Sequence, residues 1–300
     1  MLAKYKISKT FNIAKLNEIS FDESSKFILF SDCHRGDGSW SDDFAHNQNI
    51  FCHALNYYFK KGFTYIELGD GDELWKYHKF PEIREAHSLS FDIISKFHKK
   101  NKFILIWGNH NKIWESRSIV KKYLFYYYQE RNNKYIPLFP DIKTHESIVL
   151  KHSKTNNRIF LIHGHQGDLR NDIFWWFFSF LSKFLWKPLQ LFGIKDPTSP
   201  AKSFTVRIKV ERRLTSWVKN NGQVIIAGHT HRSIFPKKGD PPYFNTGSCV
   251  HPLCITGIEI EKDSIALIKW FTNTKSNGTL FIDREVLAGP EKLTRFFNFN

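Results

Sequence analysis

The sequence has few of the features that mark secreted, membrane-spanning or disordered proteins. Its four cysteines include no CxxC pair, and a chain of 300 residues does not need disulfides to fold. The longest strongly apolar run, IFWWFFSFLS, covers ten residues, which is too short to span a bilayer. The first twenty residues lack the apolar centre of a secretory signal peptide. We therefore expect an intracellular, cytoplasmic protein with reduced cysteines.

Acidic residues are scarce relative to basic ones. The chain has 29 Asp and Glu against 44 Lys and Arg, a formal net charge of +15. This charge favours acidic partners such as phosphorylated metabolites, nucleic acid or anionic lipid, and it does not choose among them. Hydrophobic residues make up 41% of the chain and aromatic residues 16%, which is ample for a folded core and excludes global disorder.

Short apolar runs alternate with segments of helical periodicity, which predicts an α/β fold. The run KFILFSD is typical of a strand covered on both faces. It is followed by a predicted helix over residues 41–61, with Ser41 or Asp42 as its N-cap. We predict a single domain over residues 1–300 with a core at 27–271. Residues 168–221 lack a strand signal and are predicted as a helical insertion, and residues 272–300 form a tail that the pattern does not place.

Five of the predicted strands end in side chains that can bind a metal ion. These residues are Asp32 and His34 in DCH, Asp70 in GD, Asn109 and His110 in GNH, His163 and His165 in HGH, and His229 and His231 in GHTH. Functional sites of open α/β sheets gather at the carboxyl ends of strands, so these side chains are expected to converge. A lone histidine after a strand is usually structural, and the combination of five such ends carries the prediction.

The types of these side chains indicate which metals they would bind. Carboxylate, imidazole and amide ligands suit Mn²⁺, Fe or Zn²⁺ better than Ca²⁺. Their number is too large for one tetrahedral ion and suits two ions, the usual apparatus for displacement at phosphorus. We therefore expect two divalent metal ions as cofactors, with Mn²⁺ favoured and Fe or Zn²⁺ as alternatives.

In this order, the five motifs resemble the signature of the calcineurin-like metallophosphoesterases. The resemblance covers residues 27–271 and implies a four-layer α/β/β/α sandwich with the metals at the strand tips. It implies that Asp32, His34, Asp70 and His231 hold one metal, and that Asp70, Asn109, His163 and His229 hold the other. His110 would face the substrate and protonate the leaving oxygen. The acid that usually follows GNH, and that is thought to orient the histidine, is replaced by Asn111.

A narrower resemblance is to the UDP-2,3-diacylglucosamine hydrolases of lipid A synthesis. Glu73 and Trp75 in GDGDELW match their spacing, and the predicted insertion lies where those enzymes dock acyl chains. The match is incomplete, because those enzymes typically have Arg at the position of His110. The aromatic run within residues 173–192, with Lys183 and Lys187, predicts a peripheral contact with an anionic membrane at its inner face. A buried helix or a dimer contact is the alternative for this run.

The sequence thus predicts a di-metal hydrolase of a phosphoester or pyrophosphate bond, whose substrate is lipid-linked or a nucleotide sugar at the membrane surface. Arg35 and His165, which adjoin the ligand motifs, are the candidate substrate contacts. A nuclease or a cyclic-nucleotide phosphodiesterase on the same scaffold is the alternative, with nucleic acid as the partner. A binding protein with a decayed site is disfavoured, because all seven ligand positions are filled. The sequence indicates neither the natural substrate nor the oligomeric state.

Overall fold

A computed structural model describes residues 2–168, 203–297 and 299 of the chain. The strands, in chain order, are β1 (Ile19–Phe21), β2 (Lys26–Phe30), β3 (Thr64–Leu68), β4 (Phe103–Ile106), β5 (Tyr126–Gln129), β6 (Lys134–Pro137), β7 (Thr144–His145), β8 (Ser147–His152), β9 (Arg158–Ile162), β10 (Val224–Ala227), β11 (Tyr243–Asn245), β12 (Cys254–Glu261), β13 (Ser264–Thr274) and β14 (Leu280–Lys292). The helices are α1 (Leu2–Ala14), α2 (Gln48–Lys60), α3 (Phe80–Ala86), α4 (Ser88–Lys99), α5 (Arg117–Leu124), α6 (Phe204–Asn221) and α7 (Thr294–Phe297). No helix within these described ranges is long and apolar enough to cross a membrane.

Twelve of the strands form two sheets. The larger has the order β14-β13-β12-β2-β3-β4-β7, and the smaller has the order β1-β8-β9-β10-β11. Strands β2, β3 and β4 run parallel to one another, as do β9, β10 and β11. The carboxyl ends of β2, β3, β4, β9 and β10 are the five places where the ligand motifs begin. The sheet topology therefore brings the motifs of each sheet to one edge.

Three apolar clusters show how the layers stack. The central cluster joins Leu29 and Ile66 of the larger sheet to Leu161 and Ile226 of the smaller one, so the sheets pack face to face. A second cluster packs α2 and α4 against the outer face of the larger sheet. A third packs α1 and α6 against the outer face of the smaller sheet, with Trp217 at its centre. The predicted α/β/β/α sandwich is therefore confirmed.

The helix predicted over 41–61 begins later than expected. Its first residue is Gln48, because the proposed N-cap side chains are used in the preceding loop. The Asp42 carboxylate accepts hydrogen bonds from the backbone N–H groups of Gly38 (2.9 Å) and Phe44 (3.0 Å). It also meets the His87 ring nitrogen at 2.7 Å. Asp42 therefore fixes the loop that follows the DCH motif instead of starting the helix.

Two segments that the sequence pattern left vague are now partly placed. The predicted tail contains β14, which pairs antiparallel with β13 and extends the larger sheet. The sequence pattern does not reveal this strand, because β14 is an edge strand whose side chains are mostly exposed and lack a clear alternation of apolar and polar residues. In the predicted insertion, α6 belongs to the outer helical layer of the sandwich. Residues 169–202, including the aromatic run, lie outside the described residues.

Candidate metal centre

The ligand motifs lie on loops that continue the strands in register. The backbone N–H of Asp32 donates to the carbonyl of Gly69 at 3.0 Å, and that of His34 donates to the carbonyl of Asp70 at 2.9 Å. In the smaller sheet, the N–H of Gly228 donates to the carbonyl of His163 at 2.8 Å. These bonds align the motifs of neighbouring strands side by side.

Two carboxylates join the tips of the two sheets. Asp70, after β3, lies 3.0 Å from Nε2 of His163, after β9. Asp32, after β2, accepts a hydrogen bond through Oδ2 from the backbone N–H of His229, after β10, at 2.9 Å. Its other oxygen, Oδ1, lies 3.1 Å from His231 Nε2 and 3.8 Å from His34 Nε2. Asp32 is fully buried, so its charge is available only inside this cluster. The motifs of both sheets therefore meet at one place.

The ligand-bearing loops share an unusual backbone conformation. Five of the predicted ligands have a positive φ: Asp32 (53°), His34 (49°), Asp70 (51°), His229 (69°) and His231 (53°). Non-glycine residues rarely adopt this left-handed conformation, which costs about 1–3 kcal/mol each when sparsely populated. In DCH and GHTH it recurs at positions i and i+2, so that both side chains turn toward the same space. Strain of this kind is typical of functional sites.

The glycines of the motifs make room for the ligands. A Cβ on Gly69 would collide with the His163 imidazole, and a Cβ on Gly108 would collide with the Asp70 carboxylate. Each glycine therefore permits a ligand from another strand, β9 of the facing sheet at Gly69 and the adjacent β3 at Gly108, to approach the backbone closely. This explains why GD and GNH each begin with glycine.

Six of the predicted ligands fall into two groups of three. The ligand atoms of Asp32, His34 and His231 all lie within 4.8 Å of one another, and so do those of Asp70, His163 and His229. A further group of the same size joins Asp70 and His34 to His110, so Asp70 reaches toward both sides of the cluster. Asn109 is buried between Gly108 and His110, both of which adjoin the Asp70 carboxylate. The structure thus brings six predicted ligands together and places Asn109 beside them in the chain, and their binding of metal stays a prediction.

Buried polar atoms without a partner test whether these residues fit a metal. Asn109 Oδ1 and His229 Nε2 are buried and form no hydrogen bond with the protein, the nearest carboxylate to His229 Nε2 being Asp168 at 3.6 Å. Asp32 Oδ1 is also buried, and it lies 3.1 Å from Nε2 of another predicted ligand, His231. Burying a polar atom without a hydrogen bond or a metal lowers the free energy of unfolding, so such atoms are usually bound by another group. His34 and His163 each donate Nδ1–H to a protein oxygen, of Glu73 and Leu68, both at 2.9 Å. Their Nε2 atoms face the cluster, which is the usual arrangement of metal-binding histidines. The donor set therefore fits divalent metal ions.

The electrostatics of the cluster also favour a cation. Burial opposes the charge on Asp70, yet the neighbouring His163 and His110 hold the pKa of its carboxyl well below its usual range. Burial likewise disfavours the charged form of His163, but Asp70 and Asp32 raise the pKa of its imidazole to about 8. The buried carboxylates therefore remain ionised by drawing positive charge beside them, and bound divalent ions would supply that charge in place of protons.

His110 lies at the rim of the cluster. Its Nδ1 is 2.8 Å from Glu73 Oε1, and its ring stacks on the indole of Trp75 at a centroid distance of 4.0 Å. Burial opposes ionisation of Glu73, but His110 and His34 hold the pKa of this carboxyl well below its usual range, so Glu73 accepts the Nδ1–H. The side chain of His110 is 20% exposed, which leaves it open toward solvent.

Glu73, rather than Asn111, is therefore the residue that orients His110. The side-chain oxygen of Asn111 instead accepts the N–H of Gly108 at 2.7 Å and fixes the GNH turn. Glu73 also accepts from His34, and so it links one predicted metal ligand to the predicted proton donor. Its position three residues after Asp70 was the available sequence signal, although it was not among the predicted site residues.

Arg35 is a correction to the sequence prediction. Its guanidinium is buried, donates to both oxygens of Glu67 at 2.8 Å and donates through Nε to Asp72 at 2.9 Å. It also lies over the ring of Phe91. Each of its three side-chain nitrogens donates to a buried carboxylate beneath the DCH loop. Arg35 therefore supports the DCH loop from below and does not provide the predicted phosphate contact.

His165 is buried beside the second group of ligands. Its ring nitrogens have no hydrogen-bond partner, and its ring lies 5.6 Å from that of His163. Burial and the neighbouring His163 keep the pKa of this imidazole well below its usual range, so it is neutral. The structure places it within reach of the site, and its contact with substrate stays a prediction. Asp168, which was not among the predicted site residues, lies 3.6 Å from His229 Nε2.

The role of Arg35 can be tested by stability. Arg35→Met leaves Glu67 and Asp72 as uncompensated buried carboxylates, so we expect the free energy of unfolding to fall by about 3–5 kcal/mol. Arg131→Met, in an exposed turn, is the matched control and should change it little. Urea unfolding measures both. Equal stability of the two variants would show that the buried ion pairs do not hold the loop.

Comparisons with known proteins show only distant similarity. No family model and no curated protein matches the sequence. A predicted phosphoesterase from Streptococcus pneumoniae is 12% identical, with 87% of this chain and 97% of that chain covered and a TM-score of 0.34. Vps29 from Chaetomium thermophilum is 12% identical, with 88% of this chain and 96% of that chain covered and a TM-score of 0.36. A 5'-nucleotidase from Candida albicans is 11% identical, with 95% of this chain and 54% of that chain covered and a TM-score of 0.29. Because these scores are low, the resemblance to calcineurin-like metallophosphoesterases rests on the chain's own motif order, four-layer sandwich and clustered ligands.

Proposed function

We propose that the chain is a di-metal-dependent hydrolase of phosphoester or pyrophosphate bonds. The observation that carries the proposal is the pair of ligand groups at the strand tips, together with the buried side-chain oxygen of Asn109, which has no hydrogen-bond partner in the protein. A purely structural cluster of this size would be expected to satisfy its own donors and acceptors. A partly exposed histidine at the rim adds a group that can exchange a proton with a substrate.

The residues divide between two metal positions. Asp32, His34 and His231 would hold one ion, Asn109, His163 and His229 would hold the other, and Asp70 would serve both. When bound, the ions would supply Lewis acidity toward phosphoryl oxygens and acidify water. Mn²⁺ is favoured, with Fe or Zn²⁺ as alternatives, because the donors are carboxylate, imidazole and amide groups.

His110 is the proposed proton donor to the leaving oxygen. In the imidazolium form His110 donates Nδ1–H to Glu73, so Nε2–H is turned away from Glu73 and is the proton that would pass to the leaving oxygen, leaving a neutral imidazole. Trp75 covers one face of the ring and limits its rotation. A histidine held in this way is suited to general acid catalysis, which contributes about 10²–10⁴-fold to rate.

We infer further that the substrate is lipid-linked or a nucleotide sugar at the inner membrane surface. The net charge of +15 and the sequence of residues 173–192 support this substrate class. A nuclease is the second candidate, favoured by a groove of about 830 Å³ between α6 and the segment that follows His231. Arg212, Lys219 and Lys237 line this groove and suit an extended phosphate backbone, although Glu211 and Asp240 also line it and Arg232 is paired with Glu211.

The metal assignment predicts a double loss when Asp70 is changed. Asp70→Asn should lower occupancy at both metal positions and abolish hydrolysis of bis-p-nitrophenyl phosphate, because one carboxylate serves both ions. Bound Mn²⁺ per chain and turnover are the two measurements. Asp92→Asn, on the exposed face of α4, is the control and should match the wild type. Full activity with two ions retained in Asp70→Asn would rule out the ligand assignment.

The role of His110 predicts a dependence on the leaving group. His110→Ala should keep its metals and lose about 10²–10⁴-fold in turnover on a substrate with a poor leaving group. The loss should shrink for p-nitrophenolate, which leaves without protonation. His46→Ala, at an exposed position, should change neither rate. An equal loss on both substrates would leave charge stabilisation, and not proton donation, as the function of His110.

The substrate class can be decided with one set of variants. Replacing Trp175, Phe178 and Trp186 by Ser should reduce hydrolysis of a lipid-linked pyrophosphate in vesicles and spare a small soluble phosphodiester. The reason is that the predicted membrane contact is separate from the metal ligands. If the wild type instead cleaves single-stranded oligonucleotides faster than the lipid-linked substrate, the nuclease alternative holds. A loss of both activities, or unfolding, would identify the aromatic run as core.

A further inference from the structure

Helix α1 carries two apolar stripes, and only one of them faces the protein. The first packs on the smaller sheet and α6 through buried residues that include Ile7 and Ala14. The second consists of large apolar side chains that are exposed to solvent. They are Leu2 (59% exposed), Tyr5 (66%), Ile13 (52%) and Leu16 (80%), the last in the turn that follows the helix.

The exposed side chains form one surface. At 3.6 residues per turn, the four positions lie within about 80° of arc around the helix axis, well away from the buried stripe. Exposed apolar residues scattered singly over a protein are ordinary. Here the four large ones lie on the same face of one helix as two pairs, Leu2 with Tyr5 and Ile13 with Leu16, with the exposed Lys9 between the pairs, and this grouping is of the kind that marks an interaction surface. We refer to this strip of residues as the α1 face.

The charge around the α1 face has a single sign. Lysines stand at positions 4, 6, 9 and 15, and no Asp or Glu occurs between residues 2 and 17. Lys9 lies within the strip, and Lys4 and Lys15 lie on one flank of it. Long lysine side chains can lay their apolar stems along such a surface while their ammonium groups reach outward. An apolar strip with a positive border is the pattern of helices that lie in the plane of a membrane interface.

The charge pattern also decides between the possible occupants. A second copy of the chain packed on the α1 face would bring the lysines of two helices together, with no acidic residue on either helix to offset the repulsion. An anionic lipid surface offers both apolar depth and negative charge, and each lysine near it contributes about fivefold to binding. We propose that the α1 face docks the protein on an anionic bilayer. The proposal rests on described residues alone and is independent of the metal site and of residues 173–192.

The test is sedimentation with phosphatidylcholine vesicles that do or do not contain phosphatidylglycerol. The wild type should bind the anionic vesicles, and more weakly as salt rises. The variant Tyr5→Ser, Ile13→Ser, Leu16→Ser should bind about 100-fold more weakly, because the loss of each apolar side chain lowers the vesicle partition coefficient about fivefold. A matched control changes three exposed side chains elsewhere, Leu89→Ser, Tyr135→Ser and Leu280→Ser, and should bind like the wild type.

A second variant separates charge from apolar contact. Lys4→Gln, Lys15→Gln keeps the apolar strip and should weaken binding to anionic vesicles by about 25-fold, with no effect on neutral vesicles. It also serves if the first variant proves unstable in a thermal melt. Both variants should hydrolyse a soluble phosphodiester at the wild-type rate, so failure of the metal proposal would be seen separately.

Three outcomes would overturn the proposal. They are wild-type binding in both α1 variants, equal binding of the wild type to neutral and anionic vesicles, and a dimer in analytical ultracentrifugation that the Tyr5→Ser, Ile13→Ser, Leu16→Ser variant abolishes. The last outcome would assign the α1 face to a second copy of the chain.

Discussion

The candidate metal centre depends on left-handed backbone at the strand tips. At Asp32, His34, His229 and His231 this conformation turns residues i and i+2 of a loop to the same side. Without it, alternate residues beyond a strand would diverge as the chain curves away, and two ligands per motif could not share an ion. The conformation is unfavourable by itself, so the surrounding structure must hold it. The hydrogen bonds between neighbouring loops and the close approach allowed by Gly69 do so.

A second requirement is a stable base beneath these loops. Arg35 follows a ligand directly and is held between two buried carboxylates, while Asn111 fixes the GNH turn from within. Glu73 ties His34 to His110, so a displacement of one imidazole is transmitted to the other. The proposed chemistry therefore needs few residues, and many neighbouring residues keep those few in place. This explains why three consecutive positions, 33–35, are all buried.

The sequence predicted the parts of this arrangement that follow from local pattern. Buried strands were recognisable as short apolar runs, and their ends were marked by glycine beside a ligand. The role of Arg35 could not be predicted, because its partners Glu67 and Asp72 come from another strand and only the fold brings them to it. The spacing of Glu73 from Asp70 marked it in the sequence, but its hydrogen bond with His110 depends on the fold, which also stacks Trp75 on the His110 ring. The strand β14 lacked any pattern, since an exposed edge strand needs no apolar alternation.

The central claim is that these loops hold two metal ions side by side, and electron paramagnetic resonance of the Mn²⁺-loaded protein tests it most directly. Two ions that shared Asp70 would be about 3.5–4 Å apart, close enough for their spins to couple. We predict the spectrum of an exchange-coupled Mn²⁺ pair at two equivalents, replaced by the spectrum of isolated Mn²⁺ when EDTA extracts the metal. An isolated, uncoupled Mn²⁺ spectrum at saturation would contradict the account.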